Sequence, residues 1–152
     1  MARMIHVVQA FDRTPIAEVP ADDAQSLDAK LAAASRAMRD RDGWLKPHQR
    51  IAVLRRTAEL LGARQSDFAM LIAREGGKPL TDATVEVIRA IDGLRNAADE
   101  IRNFAGKEIP MGLTPASEGR WAFTTKEPIG VVAAISAFNH PLNLLVHQIA
   151  PA

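Results

Sequence analysis

The chain has 152 residues, 47% of them hydrophobic and 24% charged, with 19 lysines and arginines against 18 aspartates and glutamates. The basic residues are interleaved with acids, as in Arg36, Arg39, Asp40, Arg41 and Asp42, which excludes the basic face with stacking aromatics that a nucleic-acid binder needs. No window approaches the ~20 apolar residues of a membrane span, the first residues lack the pattern of a secretory signal, and the absence of cysteine excludes a disulfide, a thiolate metal site or a cysteine nucleophile within these residues; the cytoplasm is the default compartment.

In chain order, Val7 to Phe11 and Pro15 to Pro20 are short, partly alternating runs around Asp12-Arg13-Thr14, which predicts two extended strands or a hairpin. From Asp22 or Asp23 to about Met38 the chain is alanine-rich, with acids at its start and Arg36 and Arg39 near its end, so a helix ended by Gly43 is expected. Pro47 suits a first helical position, and Ile51, Leu54, Ala58 and Leu61 form one apolar face of a second helix that Gly62 ends. A third helix is predicted from Ser66 or Asp67 through Phe68, Leu71 and Ile72 to Glu75, stopped by Gly76-Gly77 and Pro79. A long fourth helix from Thr81 carries Val85, Ile88, Ile91, Leu94, Ala98 and Ile101 at helical spacing and closes at Gly106.

Prolines and glycines make Lys107 to Gly119 a loop. Arg120 to Glu127 then alternates, with Trp121, Phe123 and Thr125 on one face, and reads as an antiparallel strand. Val131 to Ile135 is a continuous apolar run rich in β-branched residues, the pattern of a strand buried on both faces of a parallel sheet. Pro141 opens a last helix whose Leu142, Leu144, Leu145, Val146 and Ile149 make it apolar nearly all round. One such strand and one crossover helix with no returning strand leave the expected architecture unfinished.

The strand-to-helix junction from Ile135 to Pro141 is the strongest candidate for chemistry, because ligands of open α/β sheets sit outside the carboxyl ends of the strands. It carries no glycine-rich phosphate motif, so a cofactor there would be met through backbone groups and apolar contacts. Asn139 has two readings that local rules leave open: a cap for the helix begun by Pro141, or an amide donor to a substrate oxygen that becomes negative during attack. His140 and His147 lack the further ligands of a metal site, Glu75 and Lys78 read as a surface pair beside a helix stop, and Trp44 and Trp121 read as packing residues.

In four places, in the correct order, the chain resembles the N-terminal part of the aldehyde dehydrogenase superfamily. These are Ile16-Ala17-Glu18-Val19-Pro20 before an alanine-rich helix, Arg50-Ile51-Ala52-Val53-Leu54, Glu75-Gly76-Gly77-Lys78-Pro79-Leu80 with Glu86 beyond it, and Glu127-Pro128-Ile129-Gly130-Val131-Val132 running into Phe138-Asn139-His140-Pro141 and Ala150-Pro151-Ala152. The resemblance covers essentially this whole chain and about the first third of a typical member. It implies an α/β fold in which a helical segment wraps on the start of an incomplete parallel Rossmann-type sheet. Its parts would be a hairpin and helices over 1–119, an oligomerisation strand over 120–128, and the first strand-helix unit of the dinucleotide-binding sheet over 129–152.

It also implies oxidation of a small aldehyde to a carboxylic acid with NAD or NADP through a cysteine thiohemiacetal, in a homodimer or homotetramer that engages neither nucleic acid nor membrane. Asn139 takes the position of the family's oxyanion donor, and Ile135, Ser136, Ala137 and Phe138 match the segment along the nicotinamide half of the cofactor, although proline and tryptophan are common where Ala137 and Phe138 stand. The nucleophilic cysteine and general-base glutamate belong to segments beyond Ala152, so the chain alone is expected to be inactive. The Leu142 to His147 run faintly resembles members acting on lactaldehyde or phosphonoacetaldehyde. The competing reading is a stand-alone helical interaction module whose last helix docks on a partner.

Overall fold

The computed structural model describes residues 3–152. It begins with an antiparallel hairpin of β1 (Met4–Val8) and β2 (Pro15–Pro20), in register from Met4 opposite Pro20 to Val8 opposite Pro15, with an irregularity between Val7 and Val8. β1 therefore lies earlier than the Val7 to Phe11 run predicts. The reason is the turn: Gln9 and Thr14 close it by a 2.8 Å backbone hydrogen bond, Arg13 adopts φ 64°, and the Asp12 carboxylate accepts from the Thr14 N–H at 3.0 Å, which commits Ala10 and Phe11 to the turn.

Helix α1 (Ala24–Arg39) starts with a reciprocal cap, the Asp23 carboxylate accepting from the Ser26 N–H at 2.8 Å and the Ser26 hydroxyl oxygen from the Asp23 N–H at 2.9 Å. It ends at Asp40, ahead of Gly43: a 3-10 turn over Arg41–Gly43 follows, and the Trp44 indole N–H reaches the carbonyls of Ala37 (3.3 Å) and Met38 (3.2 Å) that the helix end leaves open. Helix α2 (Pro47–Ala63) runs one residue past Gly62, and α3 (Gln65–Gly76) stops at Gly77, whose φ of 66° is the left-handed conformation of a helix C-cap. At Gly77 a side chain would be strained and would also meet the Cβ of Ala10 at 3.2 Å, where the hairpin leans on the end of α3.

Helix α4 (Leu80–Glu100), followed by a 3-10 turn over Ile101–Asn103, is the axis of the core. Ala83, Val87, Ala90, Ile91, Leu94 and Ala98 are buried along it, against Ala58 and Leu61 of α2, Ala69 and Ile72 of α3, and Val146 of α5 (Pro141–Ile149). The buried stripe is rotated from the one the large apolar residues suggest, because Val85 and Ile88 are exposed. Ala83, Ala90 and Ala98 let neighbouring helices approach α4 closely, and Val87, Ile91 and Leu94 fill the space beside them. Gly93 continues the same logic toward α5, since a Cβ there would sit 3.2 Å from Val146 Cγ1.

The sheet content differs from expectation at two places. The 120–128 strand is reduced to β4 (Ala122–Phe123), paired antiparallel with β3 (Glu108–Ile109) inside the stretch expected to be a loop. Pro110 ends the partner after two residues, and Trp121, 86% exposed, packs little within this chain. Within 129–152 the helix forms but Val131 to Ile135 is not a strand, because strand structure exists only through a hydrogen-bonded neighbour and none is present among the described residues. Both sheets are two-stranded and antiparallel, so these residues are helical with small sheets and do not themselves build a parallel sheet.

Two glycine substitutions test this packing. Gly106→Ala places a Cβ 1.6 Å from the Thr124 carbonyl oxygen, and should strip hydrogen-exchange protection from the Thr124 N–H that bonds the Lys107 carbonyl at 2.9 Å while leaving the protection of α4 unchanged. Gly93→Val should lower stability by ~1–3 kcal/mol in urea unfolding through overpacking of the α4 to α5 contact.

Candidate functional site

The candidate site is the loop from Ile135 to His140 and the first turn of α5. Local sequence explains only part of its shape. Pro141 occupies the first helical position, where its missing N–H costs nothing, and His140 is the N-cap residue without a side-chain capping bond. The N–H groups of Leu142 and Asn143, two of the orphan donors of this helix start, instead donate to Oε1 of Glu86 on α4 at 2.9 and 3.2 Å. The cap is thus supplied from another helix, and the capping reading of Asn139 does not hold.

Glu86 is the one buried charged residue among the described residues, its side chain wholly out of water. Its second oxygen, Oε2, accepts from Lys78 Nζ at 2.6 Å, and His140 Nδ1 lies 3.5 Å away. Burial by itself raises the pKa of this carboxyl; the hydrogen bond from Lys78, the N–H groups of Asn143 and Leu142 and the Lys78 charge together outweigh it and hold the group below its ordinary value of 4.5. Lys78, whose side chain is 17% exposed, also donates to the Asn139 carbonyl at 2.8 Å and stands 3.0 Å from His140 Nδ1. An ammonium has three donors and no acceptor, so these three partners saturate it and require Nδ1 of His140 to accept.

Lys78 is therefore not half of a surface pair with Glu75. Sequence reasoning missed it and Glu86 as a unit, although a signal existed: Glu86 lies three residues after Ala83 and four before Ala90, on the helix face that is buried.

Above this anchor the predicted site residues are open. Ile135, Ser136, Phe138 and Asn139 are exposed and Ala137 is half-buried. The Ile135 carbonyl accepts from Gln148 Nε2 at 2.9 Å and the Ser136 hydroxyl donates to the Pro141 carbonyl at 2.8 Å, so the loop is tied back to its own helix at two points. The side-chain amide of Asn139 makes no hydrogen bond to another described residue, and only its backbone carbonyl is engaged. Ile135 and Phe138, 84% and 94% exposed, flank it with apolar surface. Exposed apolar side chains beside an uncommitted amide donor suit a flat, partly apolar group next to a polar reacting atom. No group of three or more metal-ligating side chains occurs among the described residues.

The sequence profile described as the aldehyde dehydrogenase family matches residues 1–152. The chain belongs to the aldehyde dehydrogenase family. Among its relatives, 3-sulfolactaldehyde dehydrogenase of Priestia aryabhattai is 36% identical over 99% of this chain and 31% of its own length. Two solved structures share the fold: aldehyde dehydrogenase 21 from Physcomitrella patens in complex with the reaction product succinate has TM-score 0.93 and 31% identity, over 99% of this chain and 31% of that one. NADP-dependent glyceraldehyde-3-phosphate dehydrogenase from Bacillus halodurans, complexed with NADP, has TM-score 0.89 and 29% identity over 98% and 31%. The chain thus spans about a third of the length of the family members it matches. The fold class read from the sequence agrees with these neighbours, and family membership gives no support to the stand-alone module. No helix among the described residues is long and apolar enough to cross a membrane.

The depressed pKa of Glu86 gives its ion pair a stabilising contribution that is complete above 4.5 and is lost as pH falls through the folded-state value. Glu86→Gln keeps an acceptor for the two N–H groups but leaves Lys78 without its counter-charge. It should cost about 3–5 kcal/mol at neutral pH. In urea unfolding the gap between the two proteins should narrow on acidification below 4.5; a gap independent of pH would mean that the carboxyl is not ionised in the folded protein.

Proposed function

We propose that this chain contributes the oxyanion donor and one wall of the nicotinamide site to an enzyme that oxidises an aldehyde to a carboxylic acid with NAD or NADP. The observation that carries the reading is the side chain of Asn139: exposed, without a hydrogen bond to any described residue, and set where the chain enters a helix whose start is fixed by Glu86. Attack of a nucleophile on an aldehyde turns the carbonyl oxygen into an alkoxide. A fixed amide N–H aimed at that oxygen stabilises the charge as it develops, without the cost of reorienting solvent. Ile135 and Phe138 would lie along the nicotinamide ring, with Ala137 and the oxygen of Ser136 at its edge. Bound NAD or NADP supplies the hydride acceptor.

The thiol that attacks and the carboxylate that activates water for thioester hydrolysis are assigned to the remaining two thirds of the family's length, and the residues described here are expected to have no activity alone. The relatives named for 3-sulfolactaldehyde and glyceraldehyde-3-phosphate act, by those names, on small aldehydes bearing an anionic group. A small polar aldehyde is the corresponding substrate class here. A homodimer or homotetramer in the cytoplasm is the matching assembly, and the exposed Trp121 and Phe123 at β4 offer the apolar surface a partner subunit would cover.

In a full-length family polypeptide that contains these residues, Asn139→Ala should lower kcat for aldehyde oxidation by ~10²–10³, with the KM for NAD or NADP nearly unchanged. Steady-state kinetics decide it: an unaltered kcat would remove Asn139 from the chemistry.

A further inference from the structure

We infer that Lys78 is a positioning residue for Asn139, acting through the Asn139 carbonyl and held in place by buried Glu86; the inference rests on the oxyanion reading above and assigns the residues that aim the donor. Neither Lys78 nor Glu86 needs to touch aldehyde or cofactor for this role.

The geometry gives two anchors, one on each side of the peptide between Asn139 and Pro141. On the helix side, Glu86 Oε1 grips the Leu142 and Asn143 N–H groups at 2.9 and 3.2 Å. On the loop side, Lys78 Nζ holds the Asn139 carbonyl at 2.8 Å. The direction of a carbonyl sets ψ of its own residue, and the Asn139 side chain leaves from the same Cα. Fixing that carbonyl therefore limits where the amide can point. Glu86 in turn holds Lys78 at 2.6 Å, and because Glu86 is carried by α4, the axis of the core, the aim of an exposed side chain is referred to the most buried helix in the chain.

The alternative is that Lys78 serves only to neutralise Glu86. An ammonium so largely buried needs partners for its other two N–H groups in either role. What the positioning role adds is where those partners lie: both belong to Asn139 and His140, so the bonds that satisfy Lys78 also fix the loop backbone. Donor placement matters steeply, since a misplacement near 1 Å can cost on the order of 10²-fold in rate.

A double-mutant cycle in the same full-length polypeptide tests this. Lys78→Met should lower kcat on the order of 10- to 100-fold, with kcat/KM falling in parallel and the KM for the nicotinamide cofactor little changed. In an Asn139→Ala background the same change should lower kcat by less than about 3-fold, since effects that pass through one group do not add. Lys78→Arg, which keeps donors for both Glu86 and the Asn139 carbonyl, should retain most of the rate. Equal losses in both backgrounds would overturn the positioning role, as would an undiminished kcat in Lys78→Met. An undiminished kcat in Asn139→Ala alone would instead refute the oxyanion reading and this one with it. If Lys78→Met does not fold, Lys78→Gln, which keeps two of the three donors but no charge, carries the cycle to the same two outcomes.

Discussion

A carboxylate with no exposure is an expensive group to place, and Glu86 is tolerable there because each of its two oxygens accepts from charged or helix-start donors. Lys78 brings a full positive charge to one oxygen, and two backbone N–H groups at the start of α5 bring the positive end of a helix dipole to the other. This one cluster joins three pieces of chain by polar bonds: the turn after α3, the buried face of α4 and the entry to α5. The last of these depends on it most. Val146 is the one buried residue of α5, and it sits against Gly93, so apolar contact sets the distance of α5 from α4 while the Glu86 bonds tie its first turn to α4.

The division of labour follows. The anchor is buried, charged and rigid, whereas the residues from Ile135 to Asn139 are open and apolar or polar without charge. A loop arranged in this way keeps its outer surface free while the bonds that shape it lie below. The tethers from Gln148 to the Ile135 carbonyl and from Ser136 to the Pro141 carbonyl act in the same sense, closing the loop onto its own helix with neutral hydrogen bonds. Pre-organisation of this kind lowers the entropy lost when a ligand is met.

Much of this was legible before any coordinates. Helix positions followed from alanine content, proline starts and apolar spacing, and the junction before Pro141 stood out as the end of the one continuous apolar run. The errors share a cause. The expected stripe holds at Ile91, Leu94 and Ala98 and fails at Val85 and Ile88, because close helix packing puts the small Ala83 and Ala90 inside and Val87 lies on their face. Val131 to Ile135 has strand composition and no strand, since composition belongs to a residue and a ladder belongs to a pair. Phe11 has strand composition but lies in the turn that Asp12 and Arg13 form. Glu86 stands in the sequence beyond Lys78 in the family-like segment, but its burial is signalled only by its place on the helix face of Ala83 and Ala90, which pattern reading passes over because acids are ordinarily solvated.

The same reasoning removes the capping reading of Asn139, which local rules leave open. An asparagine before a helix is ordinarily engaged by that helix, its side-chain oxygen accepting an N–H of the first turn and its amide turned accordingly. Here those N–H groups are already taken by a carboxylate from a distant part of the chain, and the cap position itself has passed to His140. The helix start therefore makes no claim on the side chain of Asn139. What it still controls, together with Lys78, is the backbone from which that side chain projects, so Asn139 is engaged at its carbonyl and unengaged at its side-chain amide.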